Sequence, residues 1–279
     1  MRIAVLSGKG GTGKTTVAAS LALVTANSQY IDCDVEEPNG FLYLTPEFSR
    51  SSVVKVRVPQ IDESICTLCG ACARICQFNA LAVTPKRVLT FSELCHHCGA
   101  CSLVCEAGAI TEVDRRIGVI EADAVGFAVQ GQLDVGEPVG IPILDDLKIW
   151  IDPDRTAFLD CPPGASCAVV HSLEACDYAI LVTEPTPFGL HDLEIAAELV
   201  KTMGIPAGIV LNKAGNDNSI IEIFCSEHHL PILLKIPYSR KIATDYSNGV
   251  LPVQASSEWA YLFGELAARL PGLVRGVKP

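Results

Sequence analysis

Basic residues are scarce in this sequence. Its 279 residues include 21 Lys and Arg against 32 Asp and Glu, which gives a formal net charge of −11. Proteins that bind DNA or RNA without sequence preference use basic surfaces to neutralise the phosphate backbone. The charge balance therefore argues against a general nucleic-acid-binding protein, and no nucleic acid is expected as a partner.

Long apolar runs are absent too. No stretch of about 18 uninterrupted apolar residues occurs, so no stable membrane insertion is expected. The chain opens on an apolar strand, without the basic segment, apolar segment and cleavage site of a secretory leader. We therefore expect a cytoplasmic protein. Its length suits either one large domain or a large domain with a small one.

Cysteine, by contrast, is abundant, with 13 residues. Structural disulfides are rare in the cytoplasm because thiols are kept reduced there, so metal binding is the better explanation. Eight cysteines form two runs with the spacing C-x2-C-x2-C-x3-C, which are Cys66, Cys69, Cys72, Cys76 and Cys95, Cys98, Cys101, Cys105. The other five are Cys33, Cys161, Cys167, Cys176 and Cys225.

Two such runs predict two [4Fe–4S] clusters in the bacterial-ferredoxin arrangement, in which the fourth cysteine of each run ligates the other run's cluster. The expected ligand sets are Cys66, Cys69, Cys72, Cys105 and Cys95, Cys98, Cys101, Cys76. Zinc is the alternative, although zinc sites rarely use four cysteines per run twice over. Gln77 and Glu106 stand where the ferredoxin pattern has proline, which is a departure that affects the turn near each cluster. His96 and His97 are expected to be exposed neighbours rather than ligands.

The rest of the chain alternates apolar strands with helical segments. Strands are predicted at 2–6, 29–32, 156–160, 178–183, 207–212 and 232–237, and helices at 14–26, 168–176, 190–203, 219–229, 240–247 and 256–270. Buried strands that alternate with helices indicate an α/β fold, a doubly wound and mostly parallel sheet with helices on both faces. The last helix is expected to dock on the core, with a membrane-surface helix as the alternative.

Residues 59–115 interrupt this alternation. They contain an internal repeat, because Cys95 follows Cys66 by 29 residues and each run has a similar tail. We predict a small inserted α+β ferredoxin-like domain at 59–115, within a larger domain formed by 1–58 and 116–279. Residues 116–150 are predicted to hold two short strands and a short helix.

A phosphate-binding loop follows the first strand. Residues 8–15 fit G-x-x-x-x-G-K-[ST] between a strand and a helix, which is the context that the motif requires. In this motif, Lys14 reaches the β- and γ-phosphates and the Thr15 hydroxyl is placed for Mg²⁺. The residues expected around the phosphates are Gly8, Lys9, Gly10, Gly11, Thr12, Gly13, Lys14, Thr15 and Thr16.

The second lysine of the loop, Lys9, makes "GKGGTGKT" a deviant Walker A sequence. It resembles the loop of MinD, ParA, the Mrp-type iron–sulfur scaffold ATPases and the nitrogenase iron protein. This resemblance implies a P-loop NTPase fold and a homodimer on ATP binding, with Lys9 crossing to the partner's nucleotide. The stretch "TEPTPFGLHDL" at 183–193 is similar to MinD-like ATPases that carry an inserted ferredoxin domain.

Three further segments extend the resemblance. "DCDVEEPN" at 32–39 resembles switch I, which implies that Asp34 orients the attacking water and belongs to the Mg²⁺ site with Thr15 and Asp160. "LDCPPG" at 159–164 resembles switch II, which implies that Asp160 acts on Mg²⁺ through water. "LNKAG" at 211–215 resembles the adenine-side motif, with Asn212 at the base. The alternatives are purely structural roles, in which Asp34 lies in a solvated turn and Asn212 caps the end of a strand.

Cys161 and Cys167 flank the switch II segment. In the nitrogenase iron protein, cysteines near this region bridge a cluster shared by the dimer. The positions do not align cleanly here, so core packing is the favoured interpretation for both residues.

Together these features predict a dimerising, Mg²⁺-dependent ATPase with Lys9, Lys14 and Asp34 as catalytic residues. Its ATP hydrolysis is coupled to iron–sulfur electron transfer or to the maturation of an iron–sulfur or metal-containing client protein. The preference for ATP over GTP rests on the resemblance. The alternative function is a positioning ATPase like MinD, with purely structural clusters.

Overall fold

The computed structural model describes residues 1–276, and the last three residues of the predicted larger domain lie outside this range. The strands are β1 Arg2–Leu6, β2 Ser28–Asp32, β3 Phe48–Ile61, β4 Leu81–Val83, β5 Val88–Thr90, β6 Ile110–Asp123, β7 Ala128–Leu133, β8 Thr156–Asp160, β9 Tyr178–Thr183, β10 Ala207–Ala214 and β11 Ile232–Pro237. The helices are α1 Lys14–Val24, α2 Phe41–Leu44, α3 Ala71–Ile75, α4 Ala100–Leu103, α5 Ile141–Leu147, α6 Cys167–Leu173, α7 Pro187–Thr202, α8 Ser219–Glu227, α9 Arg240–Ser247, α10 Pro252–Ala255 and α11 Ser257–Gly276.

Nine strands form one sheet in the order β11-β10-β9-β1-β8-β2-β7-β6-β3. The pairings from β11 to β7 are parallel, whereas β6 pairs antiparallel with β7 and with β3. The predicted mostly parallel α/β sheet is therefore confirmed. Its parallel strands end at one edge, which is where doubly wound sheets bind ligands.

Alternating residues of the central strands pack on opposite faces of the sheet, as the two-residue period of a strand requires. In β1, Ala4 and Leu6 join the core beneath α5 to α8, whereas Ile3 and Val5 join the core beneath α1 and α11. Phe263 in α11 is fully buried in this second core. The C-terminal helix is thus the docked core helix that we expected.

A long antiparallel ladder between β3 and β6 forms the far side of the sheet. It runs from Phe48 opposite Asp123 to Ile61 opposite Ile110. Within this ladder, residues 118–122 of β6 also pair with β7. β3 was not among the predicted strands, and the domain boundary predicted at 115 divides β6. Val54, Val56 and Val58 are buried at alternate positions of β3, which is the two-residue period of a strand with one buried face.

Residues 62–109, which we call the cysteine segment, connect β3 to β6. They contain α3, α4 and the small β4–β5 sheet around a core of their own that includes Leu81 and Val88. The ladder passes without a break through the predicted boundaries at 59 and 115, so the division into two domains stays a prediction. No helix among residues 1–276 combines the length and the apolar character needed to cross a bilayer.

The internal repeat is visible in the backbone of the cysteine segment. Positive φ angles recur at pairs of positions 29 residues apart, as shown by Leu68 (55°) and His97 (58°), Gly70 (77°) and Gly99 (70°), and Asn79 (54°) and Gly108 (64°). The two cysteine runs therefore have the same backbone course.

Candidate functional site

The phosphate loop lies at the carboxyl edge of the parallel strands. It leaves β1 at Leu6 and enters α1 at Lys14, so the loop precedes a buried helix. Among residues 1–276, no side chain caps α1 at Gly13, which leaves the first backbone N–H groups of the helix available to an acceptor. An unpaired helix N-terminus of this kind is a site for phosphate.

Glycine is required at two positions of the loop. Gly11 and Gly13 have φ angles of 77° and 99°, which only glycine adopts without strain. A Cβ atom on Gly13 would lie 2.3 Å from Nδ2 of Asn212. That amide donates a 2.7 Å hydrogen bond to the carbonyl of Thr12, so Asn212 braces the loop from β10. Its predicted role toward the base stays a prediction.

A cleft continues from the loop on the Asn212 side. Its walls come from the end of β11 and from α9, in addition to the loop itself. The lining includes Gly11, Gly13, Thr16, Asn212, Lys213, Pro237, Tyr238 and Tyr246. This is the side on which the resemblance places the base.

Asp160, at the end of β8, is the buried carboxylate of the site. The Tyr30 hydroxyl donates to its Oδ2 at 2.9 Å, and the Thr15 hydroxyl is close enough to favour its ionised form. Its Oδ1 is buried and has no hydrogen-bond partner among residues 1–276. Burial raises the pKa of Asp160 to about 6. A buried, unsatisfied carboxylate oxygen beside a threonine hydroxyl fits Mg²⁺, which binds through oxygen ligands and water.

The structure brings Lys14 and Asp34 to the same place. The Lys14 side chain is buried, and its charge is close enough to both Asp34 and Asp160 to favour their ionised forms. Burial is nevertheless the larger influence and raises the pKa of Asp34. The predicted phosphate, magnesium and water-positioning residues thus lie together, and their individual roles stay predictions.

Asp32 organises the switch I segment and was absent from the predicted site residues. It is fully buried at the end of β2 and accepts backbone N–H bonds from Asp34, Asn39 and Gly40, at 3.2, 3.1 and 3.0 Å. Burial, with the nearby Asp160 charge, raises the pKa of Asp32 to about 8. Its position at the carboxyl end of the predicted strand 29–32 marked it as a residue of the ligand-binding edge, although no role was assigned to it.

A second missed group surrounds Lys9. The carboxylate of Glu184, just past β9, lies 2.5 Å from the Lys9 ammonium and 2.9 Å from that of Lys213. Lys213 also donates to the carbonyl of Gly11 at 3.1 Å. Burial opposes ionisation of Glu184, but its hydrogen bonds to the two lysines outweigh this effect and lower its pKa.

The first predicted ligand set surrounds a single cavity in the cysteine segment. Cys66, Cys69, Cys72 and Cys105 all line it, together with apolar neighbours such as Leu68 and Val88. Cys105 comes from the second run, so the fold places it with the first three cysteines of the other run. We call these four residues the first cysteine set.

The second set lies nearer the core of the main sheet. Cys76 and Cys98 are close enough to Cys95 for their charges to raise its pKa, in addition to the larger effect of burial. Cys95 is likewise close to Cys101. Cys76, the fourth cysteine of the first run, thus lies with the cysteines of the second run. We call Cys76, Cys95, Cys98 and Cys101 the second cysteine set.

The spacing of the thiols bears on which metal they fit. Within the described residues, no three cysteine Sγ atoms lie within 4.8 Å of one another. A zinc tetrahedron with Zn–S distances of about 2.3 Å would hold its sulfurs closer than this limit. A [4Fe–4S] cube attaches each thiolate to a separate iron, which spreads the sulfurs apart. The arrangement therefore fits a cluster better than a single zinc ion.

Backbone donors support the fourth cysteine of each run in the same way. Ala80 N–H donates to Cys76 Sγ at 3.3 Å, and Ala109 N–H donates to Cys105 Sγ at 3.2 Å. The turns after Cys76 and Cys105 are therefore equivalent, although neither cysteine is followed by the proline of the ferredoxin pattern. Hydrogen bonds to sulfur favour the thiolate that ligates a cluster.

The two histidines of the second run differ in their surroundings. His96 is exposed and stacks on Phe78, with ring centroids 3.6 Å apart. His97 is half-buried, which corrects the expectation that both are exposed, and burial lowers its pKa.

The cysteines outside the two runs also differ from one another in solvent exposure. Cys33 and Cys161 are buried in the main core, which agrees with a packing role. Cys167 is exposed at the first residue of α6, so the packing interpretation was wrong for this residue. The structure gives Cys167 no other role.

The comparisons with known proteins agree with this geometry. Residues 3–253 match the family described as the CobQ/CobB/MinD/ParA nucleotide binding domain. This protein belongs to that family. Nucleotide binding is the property that this MinD/ParA-type P-loop protein shares with the other members of the family.

Three similar proteins illustrate the range of the family. The Methanocaldococcus jannaschii "Uncharacterized protein MJ0578" is 30% identical over 277 residues, which cover 97% of this chain and 96% of that protein. An Anopheles gambiae protein described as "Cytosolic Fe-S cluster assembly factor Nubp2 homolog" is 26% identical over 89% of this chain and 85% of its own length. The septum site-determining protein MinD of Pyrococcus horikoshii, solved with Mg-ADP, has a TM-score of 0.56 at 20% identity, with 99% of this chain and 98% of that chain covered.

Proposed function

We propose that this protein is a homodimeric, Mg²⁺-dependent ATPase with two [4Fe–4S] clusters bound within residues 59–115. ATP hydrolysis would be coupled to electron transfer or to the maturation of an iron–sulfur or metal-containing client protein. The observation that carries this proposal is the cavity in which Cys105 meets Cys66, Cys69 and Cys72. Cysteines from two runs that share one cavity match the crossed ligation of two-cluster ferredoxins.

The proposed reaction converts ATP and water to ADP and phosphate. Lys14 and the loop N–H groups hold the phosphates, while Thr15 and Asp160 hold Mg²⁺, with Asp160 acting through water. Asp34 orients the attacking water beside them. In phosphoryl transfer of this kind, positioning and charge neutralisation supply most of the catalysis. The unsatisfied Oδ1 of Asp160 supports this assignment.

The clusters supply one-electron redox chemistry or a scaffold when they are bound. The protein residues that would hold them are the two cysteine sets. The likeness to a protein described as an iron–sulfur cluster assembly factor supports the maturation branch of the proposal. A redox partner or a metalloprotein client is therefore the expected partner.

A positioning ATPase with structural clusters is the second candidate. The fold likeness to MinD over nearly the whole chain favours it. The two candidates differ in redox behaviour. Clusters that cycle between oxidation states support the first function, whereas clusters that cannot be reduced, together with nucleotide-dependent binding to lipid vesicles, support the second.

The decisive experiment is metal analysis of anaerobically prepared protein. We expect about eight irons and eight sulfides per chain, with visible absorbance and an EPR signal after reduction. Stoichiometric zinc without these signals would contradict the proposal. In the same preparation Lys14→Ala is expected to abolish ATP hydrolysis while leaving the iron content unchanged, which separates the two activities.

A further inference from the structure

The two cysteine sets share a backbone course but differ in their polar surroundings. Leu68 and His97 occupy equivalent positions of the repeat, 29 residues apart, and both have φ angles near 55°. The cavity of the first set is walled by apolar side chains, including Ile61 and Leu68. The second set has a histidine in place of this leucine.

An ion pair lies beside the second set. The Arg115 guanidinium makes twin 2.6 Å hydrogen bonds to the Glu137 carboxylate, and the two side chains are 21% and 9% exposed. Arg115 is close enough for its charge to act on both Cys95 and His97. Its Nε atom is buried and has no hydrogen-bond partner among residues 1–276.

The His97 ring has the same unusual feature. Its Nε2 atom is buried and has no partner within the described chain. The backbone N–H of His97 is close enough to the Cys95 thiol to act against the rise in its pKa, so the residue borders the second set directly. These two buried and unsatisfied nitrogen atoms, on side chains close enough to interact by charge, call for an acceptor because an unpaired buried polar group destabilises the folded protein.

The ion pair is also linked through the backbone to the switch I segment of the proposed nucleotide site. Glu137 belongs to the loop at 134–140 that follows β7. Immediately before this loop, Leu133 N–H donates to the carbonyl of Val35 at 2.8 Å. Val35 follows Asp34 in the switch I segment, so a few residues connect that segment to the partner of Arg115.

We propose that Arg115 and His97 donate N–H groups to the cluster of the second cysteine set, hold its reduction potential above that of the first, and make it the nucleotide-sensitive cluster through Glu137. This inference rests on the proposed function. Donors near a cluster stabilise its reduced form, which carries one more negative charge. Electrons would then collect on the cluster nearer the ATPase core.

Redox titration followed by EPR, with ADP or a non-hydrolysable ATP analogue, tests the proposal. His97→Leu copies the residue that the first run already carries at the equivalent φ angle, so the backbone should tolerate it. We expect the higher of the two midpoint potentials to fall, with a change of at least tenfold in the oxidised-to-reduced ratio of that cluster at a given potential. For a one-electron centre this change corresponds to about 59 mV. The lower midpoint should not move. Arg115→Lys, which keeps the charge but removes Nε, should lower the same midpoint.

Glu137→Gln tests the connection to the nucleotide. In the unaltered protein the higher midpoint should differ between ADP and the ATP analogue, and Glu137→Gln should remove this difference. Asp134→Asn is the matched control, because it breaks the exposed Arg116–Asp134 bridge from the same loop. This control should leave the difference in place.

The outcomes separate the inference from the proposed function. Fully loaded clusters whose midpoints do not respond to His97→Leu or Arg115→Lys would overturn the inference alone. So would nucleotide-independent midpoints in the unaltered protein. A preparation without iron and sulfide would overturn both the inference and the proposed function.

Discussion

Lys9 and Glu184 form an ion pair within one chain, with the ammonium 2.5 Å from the carboxylate. The proposed dimer uses the same lysine on the partner's nucleotide. A Lys9 ammonium that reaches across to the partner's nucleotide would move away from Glu184 of its own chain, so we expect the two contacts to compete. The pair therefore opposes dimer formation by the small free energy that a partly exposed ion pair contributes.

Glu184→Gln is expected to favour the ATP-dependent dimer. Loss of about 0.5–1 kcal/mol of competing interaction should lower the dimer dissociation constant roughly two- to fivefold. Lys9→Ala should instead retain nucleotide binding by the monomer and lose the dimer. Sedimentation with a non-hydrolysable ATP analogue measures both effects. Glu198→Gln, on an exposed part of α7, is the control, and equal dissociation constants for all the glutamate variants would refute the competition.

Gly13→Ala should damage the phosphate loop far more than Gly10→Ala. The first change places a Cβ atom at a φ angle of 99° and 2.3 Å from the Asn212 amide, whereas the Cβ atom of the second meets no atom of the described residues within 4 Å. We expect Gly13→Ala to lower the free energy of unfolding by about 2–3 kcal/mol and Gly10→Ala by about 0.5 kcal/mol or less. Chemical unfolding measures both. Adding Asn212→Ala to Gly13→Ala should recover the steric part of the loss, and no recovery would show that the contact with Asn212 is unimportant.

Cys76→Ala should damage the cluster of the second run although Cys76 belongs to the first. Cys76 lies beside Cys95 in the structure. We expect loss of about half of the iron and of one of the two EPR-active clusters, with the signal of the first cysteine set retained. Cys225→Ala, which alters a buried cysteine in α8, is the matched control and should retain both clusters. Loss of the cluster bound by Cys66, Cys69 and Cys72 in Cys76→Ala would indicate local rather than crossed ligation.

The stability of the protein without Mg²⁺ or nucleotide should fall between pH 6 and pH 8. Burial raises the pKa of Asp32 to about 8 and that of Asp160 to about 6, from an ordinary value of 3.8. Between the ordinary pKa and the raised pKa of each group, the folded protein retains a proton that the unfolded chain has released, so the free energy of unfolding decreases as the pH rises. Asp160 contributes to this decrease below about pH 6, and Asp32 contributes up to about pH 8 and alone accounts for the fall between pH 6 and pH 8. Thermal unfolding at both pH values measures the effect. Asp32→Asn should reduce the pH dependence, and an unchanged dependence in this variant would assign it to other groups.

The local sequence determined the elements that depend on near neighbours. The phosphate loop, the strand before it and the helix after it follow from glycine spacing and from the apolar run of β1. The 29-residue repeat predicted two matching cysteine runs because identical spacings impose one backbone course. Parallel strands such as β9 and β10 were predictable since buried strands are continuous apolar runs.

Tertiary structure alone decided which distant side chains meet. Asn212 braces the loop across 200 residues, and Glu184 meets Lys9 across 175. No local pattern encodes such pairs, since they depend on the order of strands in the sheet. The same holds for Arg115 and Glu137, whose contact depends on the antiparallel pairing of β7 with β6, the second strand of the β3–β6 ladder. That ladder escaped prediction because one side of β3 is polar and exposed, so burial of its valines became evident only against β6 and the helix beneath them.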